Sequence, residues 1–234
     1  SISMNNQGFF LAKFDINGNF DWIRSINGDG GMSINDIGRF GNELVLVGSF
    51  GGEIICDTLI FTTQKTFQPV LFKMDTNGAF IWGKTFDCTT LATVSSLAIS
   101  NSGSLYCTGW ATGLFVVGDD TLQEGGTFIF KLWPDGSPAW MKKAGSNIQD
   151  VVIAENEVVY ISGVLGGSHY ISDCLAIGSP GVMNLYVATL DTNGNCQGVT
   201  MVPNVHHSYE TVFDAENLFY ITGYCKATEF GNLS

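Results

Sequence analysis

Lys73–Trp82, with the sequence KMDTNGAFIW, decides the fold because the same pattern occurs four times in the 234 residues. The other copies are KFDINGNFDW (Lys13–Trp22), KLWPDGSPAW (Lys131–Trp140) and TLDTNGNCQG (Thr189–Gly198). Their turn glycines, Gly18, Gly78, Gly136 and Gly194, are spaced 60, 58 and 58 residues apart. A fixed period of this size indicates a repeat architecture, in which each repeat is one supersecondary unit that packs on its neighbours.

Each turn is followed, about thirty residues later, by an aliphatic run that ends in glycine. The runs are LVLVG (Leu44–Gly48), LYCTG (Leu105–Gly109), VYISG (Val159–Gly163) and FYITG (Phe219–Gly223). They do not alternate polar and apolar residues, which predicts strands that are covered on both faces. The Asp-Asn-Gly turns are typical of tight hairpins, and no window shows a helical period. The sequence therefore predicts an all-β protein whose repeat contains two hairpins and a loop with an extra short strand, Gly113–Val117.

Sheets that lie between similar sheets are typical of the blades of a β-propeller. A solenoid has shorter repeats, and the strands of a two-sheet sandwich alternate in and out. The pattern therefore predicts a single β-propeller domain, residues 1–234, of about four repeats with four-stranded blades. The repeat units are approximately 1–62, 63–124, 125–181 and 182–234.

The two ends of the chain predict how the ring is built. The residues after Gly223 and those before Gly18 together match one interval between a strand glycine and the next turn glycine. The hairpin Gly8–Ile26 either completes the blade begun by Thr211–Tyr224 and closes the ring, or the chain is an excerpt of a larger propeller. Because the chain begins at Ser1 in mid-pattern, we expect a processed protein or an excerpt.

Composition narrows the class of partner. The chain has 22 acidic and 10 basic residues, a net charge of −12, and no basic stripe that could displace the counterions of a nucleic acid. The acidic surface disfavours anionic membranes, and no apolar run approaches the roughly 20 residues that cross a bilayer. The six cysteines form no C-x-x-C pair, which disfavours a zinc site. Fifteen disulfide connectivities stay open if all six pair, and Cys107 and Cys225 are expected to be buried free thiols.

The string Asp15-Ile16-Asn17-Gly18-Asn19, followed by Trp22, Asp36 and Leu44–Gly48, resembles the bacterial SBBP-type β-propeller repeat. The third copy supplies Asp135-Gly136, Trp140, Asp150 and Val159–Gly163. This resemblance, which covers essentially the whole chain, implies a secreted or cell-surface bacterial protein that serves as a scaffold for recognition, with no catalytic residue to carry over. The chain departs from the family in having four repeats where the family is named for seven blades, Gly198 in place of the tryptophan, and Trp133 in place of the first turn aspartate.

No segment predicts catalysis or a cofactor. The D-x-N-G-N turns are too short for a calcium loop and lack its late glutamate, so they are interpreted as hairpin turns. His206, His207 and Glu210 form the one metal-like cluster, but adjacent residues of a strand point to opposite faces, and we expect a surface loop there rather than a metal site. The chain has neither G-x-S-x-G nor a P-loop, although a Ser-His-Asp triad is recognised by geometry rather than by sequence.

The residues that do not repeat are the candidates for binding. Trp22, Trp82 and Trp140 recur with the period and are expected to pack between blades, whereas Trp110 and Trp133 are off register and could stack on a sugar or a partner protein. The candidate binding residues are Trp110, Trp133, Asp119, Asp120, His206 and His207.

The sequence thus predicts a non-catalytic binding or structural module that recognises a partner protein or a glycan through its loops. It does not predict the oligomeric state. Two alternatives remain: a hydrolase or lyase acting on polysaccharide, which would need paired carboxylates in a pocket, and a component of a surface or phage filament, which would need large lateral contacts between copies.

Overall fold

The structure is a computed structural model that describes residues 8–145, 147–178, 180–214, 216 and 218–225. All regular secondary structure in these residues is β-strand, so the all-β prediction is confirmed. The strands pair antiparallel throughout.

The strands form three four-stranded arrays between two hairpins. The N-terminal hairpin is β1 (Gly8–Phe14) and β2 (Phe20–Gly28). The first sheet is β3 (Met32–Phe40), β4 (Glu43–Cys56), β5 (Leu59–Asp75) and β6 (Phe80–Thr85). Then come β7 (Leu91–Ile99), β8 (Leu105–Thr112), the short pair β9 (Phe115–Val117) and β10 (Asp120–Leu122), β11 (Gly126–Leu132) and β12 (Pro138–Lys143). These are followed by β13 (Ile148–Ile153), β14 (Val159–Gly166), the short pair β15 (His169–Ile171) and β16 (Cys174–Ala176), β17 (Met183–Leu190) and β18 (Cys196–Pro203). The C-terminal hairpin is β19 (Val205–Phe213) and β20 (Phe219–Cys225).

The second sheet has the order β7-β8-β11-β12, and the third has the order β13-β14-β17-β18. In the first sheet β3, β4, β5 and β6 pair in the same way, and β2 adds two paired positions at the far end of β4. Each sheet therefore takes its first two strands from one repeat unit and its last two from the next. The sheets are offset from the sequence repeats by half a repeat.

Successive sheets pack face to face. The first strands of the sheets, β3, β7, β13 and β19, contact one another in that order, and we call them the inner strands. One apolar core lies between the first and second sheets and another between the second and third. Val45, Leu46 and Val47 of β4 are all buried, which confirms that the aliphatic runs are covered on both faces.

The D-x-N-G-N segments are hairpin turns, as predicted. In the turn after β5, Asp75 Oδ1 accepts the backbone N–H groups of Asn77 at 2.9 Å and Ala79 at 2.8 Å. Gly78 has a φ of +87°, a left-handed conformation that glycine adopts without a steric penalty. These hydrogen bonds favour the ionised carboxylate, and they hold the pKa of Asp75 below its ordinary value.

The recurring tryptophans fix each sheet to the next, which confirms the prediction that they pack between repeats. The indole N–H of Trp22 donates to Thr76 O at 3.2 Å, and that of Trp140 donates to Thr192 O at 3.0 Å. Both acceptors are the second residue of the next sheet's Asp-Gly turn. The Trp140 ring also covers Gly194 of that turn so closely that a Cβ there would lie 2.9 Å from it.

The two ends of the stack have unpaired edges. Among the described residues, β1 pairs only with β2 and β20 pairs only with β19, so the sheet topology contains no closure between β20 and β1. The predicted extra strand of the second repeat is shorter than expected, Phe115–Val117, and it pairs with β10 in a small separate hairpin.

Candidate functional site

A bulge in every inner strand positions the candidate site. The pairing register slips at one equivalent residue in each inner strand, namely Asn35, Ser95, Gln149 and Tyr209, and β19 slips a second time at His206. A bulge leaves one extra residue outside the ladder and re-aims its side chain. The four bulged residues differ in chemistry, although the bulge itself repeats.

The residue after each bulge joins neighbouring inner strands. Asp36 Oδ2 accepts the Leu97 N–H at 2.8 Å, and Asp150 Oδ2 accepts the Thr211 N–H at 2.7 Å. Ser96 Oγ takes the same role between the second and third sheets, where it accepts from the Val151 N–H at 3.3 Å. The bulge therefore distinguishes two positions: one residue makes the bond between inner strands, and its neighbour lies outside the pairing ladder.

The candidate site is a cavity of about 360 Å³ between the first and second sheets, beside the first two bulges. Residues of β3, β4, β5, β7 and β8 line it, and none of them is charged. The lining includes Asn35, Phe67, Leu91, Thr93, Ser95 and Trp110. An apolar wall with a few polar groups is typical of small-ligand sites.

A hydrogen-bond network holds the polar side of this cavity. Asn35 Nδ2 donates to Val94 O at 2.6 Å and to Thr93 Oγ1 at 3.1 Å. Thr93 Oγ1 donates to Ser49 Oγ at 3.2 Å, and Ser49 lies 3.3 Å from Ser33 Oγ. The network connects strands of both sheets and presents hydroxyl groups to the cavity.

Trp110 supplies the aromatic side of the cavity. It lies within β8, paired with Thr93 on one side and Thr127 on the other. Its side chain is nevertheless 42 % exposed, because this end of the sheet faces the cavity. Trp110 is the one predicted binding residue among the lining of this cavity.

Trp133 serves a different purpose. It occupies the first position of the turn after β11, and the Lys131 ammonium lies 4.6 Å from its ring centroid. Lys131 also donates to Thr192 O at 3.1 Å, so it belongs to the contact between the second and third sheets. Burial lowers the pKa of Lys131. Trp133 thus covers a structural lysine, although 48 % of its surface stays exposed.

The two adjacent aspartates have different environments. Asp119 is exposed in the turn between β9 and β10, as expected of a solvated loop charge. Asp120 lies on β10, where its Oδ2 accepts the Met141 N–H of β12 at 2.7 Å. In the next repeat a different pair makes a similar contact, since Asp173 Oδ1, beside β16, accepts the Cys196 N–H of β18 at 2.7 Å. Asp120 therefore attaches the short hairpin to its sheet.

His206 and His207 lie on strand β19, so the expectation of a surface loop was wrong. The segment is the inner strand of the C-terminal hairpin and pairs with β20. The two rings contact different aromatic neighbours: His206 meets Tyr224 at 6.3 Å, and His207 stacks on Tyr209 at 6.2 Å. Among the described residues, no group of three or more His, Cys, Asp or Glu side chains is arranged to hold a metal ion.

Cys174 and Cys196 form a disulfide that joins β16 to β18. Cys56, Cys88 and Cys107 are buried free thiols, which confirms the prediction for Cys107, and burial raises the pKa of Cys56 to about 12. Cys225 is partly exposed rather than buried.

Sequence reasoning missed most of the cavity. Phe67 and Thr93 lie in segments without a motif, and Asn35 becomes prominent only as a bulged residue. One signal in the sequence could have located the bulges. The acidic residues Asp36 and Asp150 recur at the repeat period, and each directly follows a bulged residue.

A comparison with protein-family models and with curated proteins finds no match for this chain. The residues that the structure describes include no helix long and apolar enough to span a membrane.

Proposed function

We propose that the chain is a β-propeller-type scaffold in which successive sheets act as blades, and that it binds a neutral glycan in the cavity at Trp110. The observation that carries the proposal is the lining of the cavity: an exposed indole opposite a network of hydroxyl and amide groups, without a charged side chain. An aromatic face stacks on the apolar face of a sugar ring, while hydroxyl and amide groups bond to its hydroxyls.

The acids of the inner strands support binding over catalysis. A glycosidase needs two carboxylates that flank a scissile bond. Both oxygens of Asp36 accept backbone N–H groups, from Ile37 at 2.7 Å and Leu97 at 2.8 Å. Both oxygens of Asp150 are likewise bonded, one by Ser96 and the other by Thr211. These carboxylates hold strands together and are not presented to a ligand.

The disulfide supports the proposal that the protein is secreted or displayed on a bacterial surface. Disulfides persist in oxidising compartments and are rare in the cytosol. The Cys174–Cys196 bond joins a short hairpin strand to an outer strand of the third sheet, where it fixes a loop.

The test is binding of neutral oligosaccharides, first on a glycan array and then by isothermal titration calorimetry. We expect Trp110→Ala to lose at least tenfold in affinity, since it removes the aromatic face on which the sugar ring stacks. Because the cavity is neutral, the affinity should be the same at low and high salt.

Trp133→Ala is the matched control, because Trp133 is exposed to a similar degree but lies away from the cavity. Equal binding by the Trp110→Ala variant, or binding by none of the oligosaccharides, would refute the assignment.

A further inference from the structure

The two hairpins at the ends of the stack correspond to the two halves of a four-stranded sheet. The C-terminal hairpin, β19–β20, corresponds to the first two strands of a sheet, and the N-terminal hairpin, β1–β2, corresponds to the last two. Each has an edge that no described strand pairs with. We propose that β20 of one copy pairs with β1 of a second copy, which completes a fourth four-stranded sheet between the two molecules.

The register of this pairing follows from the complete sheets. In the second sheet Gly109 lies opposite Phe128, and in the third sheet Gly163 lies opposite Tyr186. The aromatic ring covers the glycine in both sheets, since a Cβ on Gly109 would lie 2.8 Å from Phe128 Cζ and one on Gly163 would lie 2.9 Å from Tyr186 Cε1. In these two sheets the glycine is therefore the seat of an aromatic side chain from the neighbouring strand, whereas in the first sheet Gly48 lies opposite Val70.

Gly223 and Phe10 occupy these two positions at the ends of the chain. Gly223 is the strand glycine of β20, and a Cβ there would meet backbone atoms of β19 but no aromatic ring among its three nearest atoms. It lines an open cavity of about 220 Å³, together with Leu185, Val202 and Ile221. Phe10 is 60 % exposed, whereas its counterparts Phe128 and Tyr186 are fully buried.

A side chain of β20 in the first copy also fits a cavity beside β1 in the second copy. The N-terminal hairpin and the first sheet enclose a cavity of about 440 Å³, lined by residues that include Leu11, Phe14, Ile37 and Leu44. Tyr220 of β20 corresponds to Tyr106, which is buried against the next sheet, but Tyr220 itself is 51 % exposed. In the joined molecules Phe10 fills the cavity at Gly223, and Tyr220 fills the cavity beside Ile37.

The hydrogen bond from an acid of one inner strand to the next inner strand can also form between the two copies. Ile37 corresponds to Leu97 and Thr211, whose N–H groups are bonded by the acid of the preceding inner strand. Ile37 is 46 % exposed, and among the described residues no inner strand precedes it in its own chain. Glu210, after the bulge of β19, is the acid that would face the Ile37 N–H of the second copy.

One contact is missing from the proposed joint. The tryptophan of the fourth copy is Gly198, and the lysine that accompanies it is Thr189. The indole that packs on the next turn in the other junctions cannot form here. The joint is therefore weaker than the junctions within the chain, and it can be strengthened: a Cβ at Gly198 meets only Thr189 Oγ1, at 3.8 Å.

The test is the mass of the 234-residue protein in sedimentation equilibrium over a range of concentrations. We expect reversible association that Phe10→Ala weakens at least tenfold and that the double variant Thr189→Lys, Gly198→Trp tightens. Ile16→Ala is the control, because Ile16 is fully exposed in a turn that lies outside the paired edge. A wild type that stays monomeric at all concentrations, or association unaffected by Phe10→Ala, would overturn the proposal.

Cysteine cross-linking distinguishes two copies from one. The register places Ala12 opposite Ile221, as Ala188 lies opposite Ile161 in the third sheet. On oxidation, a mixture of Ala12→Cys protein and Ile221→Cys protein should form a dimer with one bond between the introduced cysteines. A pair shifted by two residues, Ala12→Cys with Phe219→Cys, should form much less.

The double variant Ala12→Cys, Ile221→Cys checks for closure within one chain. Cross-linked dimers or larger chains support pairing between copies. Cross-linked monomers would overturn it in favour of a ring closed by its own hairpin. The parent protein, with its native cysteines alone, sets the background.

Discussion

At the scale of single residues, a carboxylate in each turn decides whether the hairpin forms. Asp15, Asp75 and Asp191 each accept two backbone N–H groups through one oxygen. Asp135 accepts the N–H and the hydroxyl of Ser137 at the third turn, where Trp133 has replaced the first aspartate. The third turn is therefore also capped by a carboxylate, but this carboxylate lies two positions later in the turn than in the other copies.

These turns make the stability of the fold depend on pH. The pKa of Asp75 is lowered by its bonds to the Ala79 and Asn77 N–H groups, so the folded state binds this proton less readily than the unfolded chain. Its contribution is therefore complete above the unfolded pKa of about 4 and is lost as the pH falls through the lower folded value. We expect Asp75→Asn to lower the urea midpoint at pH 7 and to lower it less at pH 2.

The control for this variant is Asp119→Asn, at an exposed carboxylate outside the Asp-Gly turns. It should not change the midpoint at either pH. An Asp75→Asn effect of the same size at pH 2 and pH 7 would mean that the charge of the carboxylate does not matter.

The turn chemistry was readable in the sequence because it is local. Asp, Asn and Gly at fixed offsets specify the hairpin without help from the rest of the chain. The cavity at Trp110 was not readable, since Phe67, Thr93 and Asn35 come from three strands that meet only when two sheets pack. Trp110 could be singled out by its irregular position, but nothing in its neighbours showed which residues share its cavity.

At the scale of elements, the contact between a tryptophan and the next turn joins one sheet to another. Gly194 has a φ of +79°, and a Cβ there would lie 2.9 Å from the Trp140 ring. Gly18 has almost the same backbone angle, +82°, but nothing lies within 4 Å of its Cβ position. Comparing alanine substitutions at these two glycines therefore distinguishes the cost of backbone strain from the cost of the clash with the ring.

We expect Gly194→Ala to destabilise the protein by about 1–2 kcal/mol more than Gly18→Ala does. Both variants carry the cost of a left-handed alanine, roughly 1 kcal/mol, and only Gly194→Ala pushes the indole off the turn. Denaturant unfolding of the two variants measures the difference. Equal losses would show that the indole moves aside at no cost.

The hairpins of each repeat could also be predicted from the sequence. The sequence did not show which two hairpins combine into one sheet. Period and turn residues give the hairpins directly. Packing across the loop between two hairpins of different repeats decides that they share a sheet. The half-repeat offset between sheets and sequence repeats is therefore visible only in the three-dimensional structure. The histidine pair shows the same limit: its strand, β19, is recognisable as an inner strand only from its pairing with β20 and its contact with β13.

At the scale of the whole molecule, the main contacts of each sheet in the described residues are with its neighbours in the stack. Stability in such an array is close to a sum of the terms for each sheet and for each junction. A change at one junction should therefore loosen the elements on one side of it before the rest unfolds.

Asp150 tests this expectation, because it accepts the Thr211 N–H and so holds the C-terminal hairpin to the third sheet. We expect Asp150→Ala to cost about 2 kcal/mol and to increase hydrogen exchange in β13, β19 and β20. The exchange of β4 and β5, two sheets away, should not change. A uniform increase over all strands would show that the stack unfolds as one unit.

The bulge of the inner strands has a consequence for how such a protein can change over time. Because Asp36, Ser96 and Asp150 carry the bond between inner strands, that bond does not depend on the side chain of the residue before each of them. Asn35 has bonds of its own to the second sheet, whereas Ser95 and Gln149 can be exchanged with little penalty to folding. The inner strands therefore offer substitutable positions, so a lineage can acquire a new ligand by a few point mutations without rebuilding a single strand.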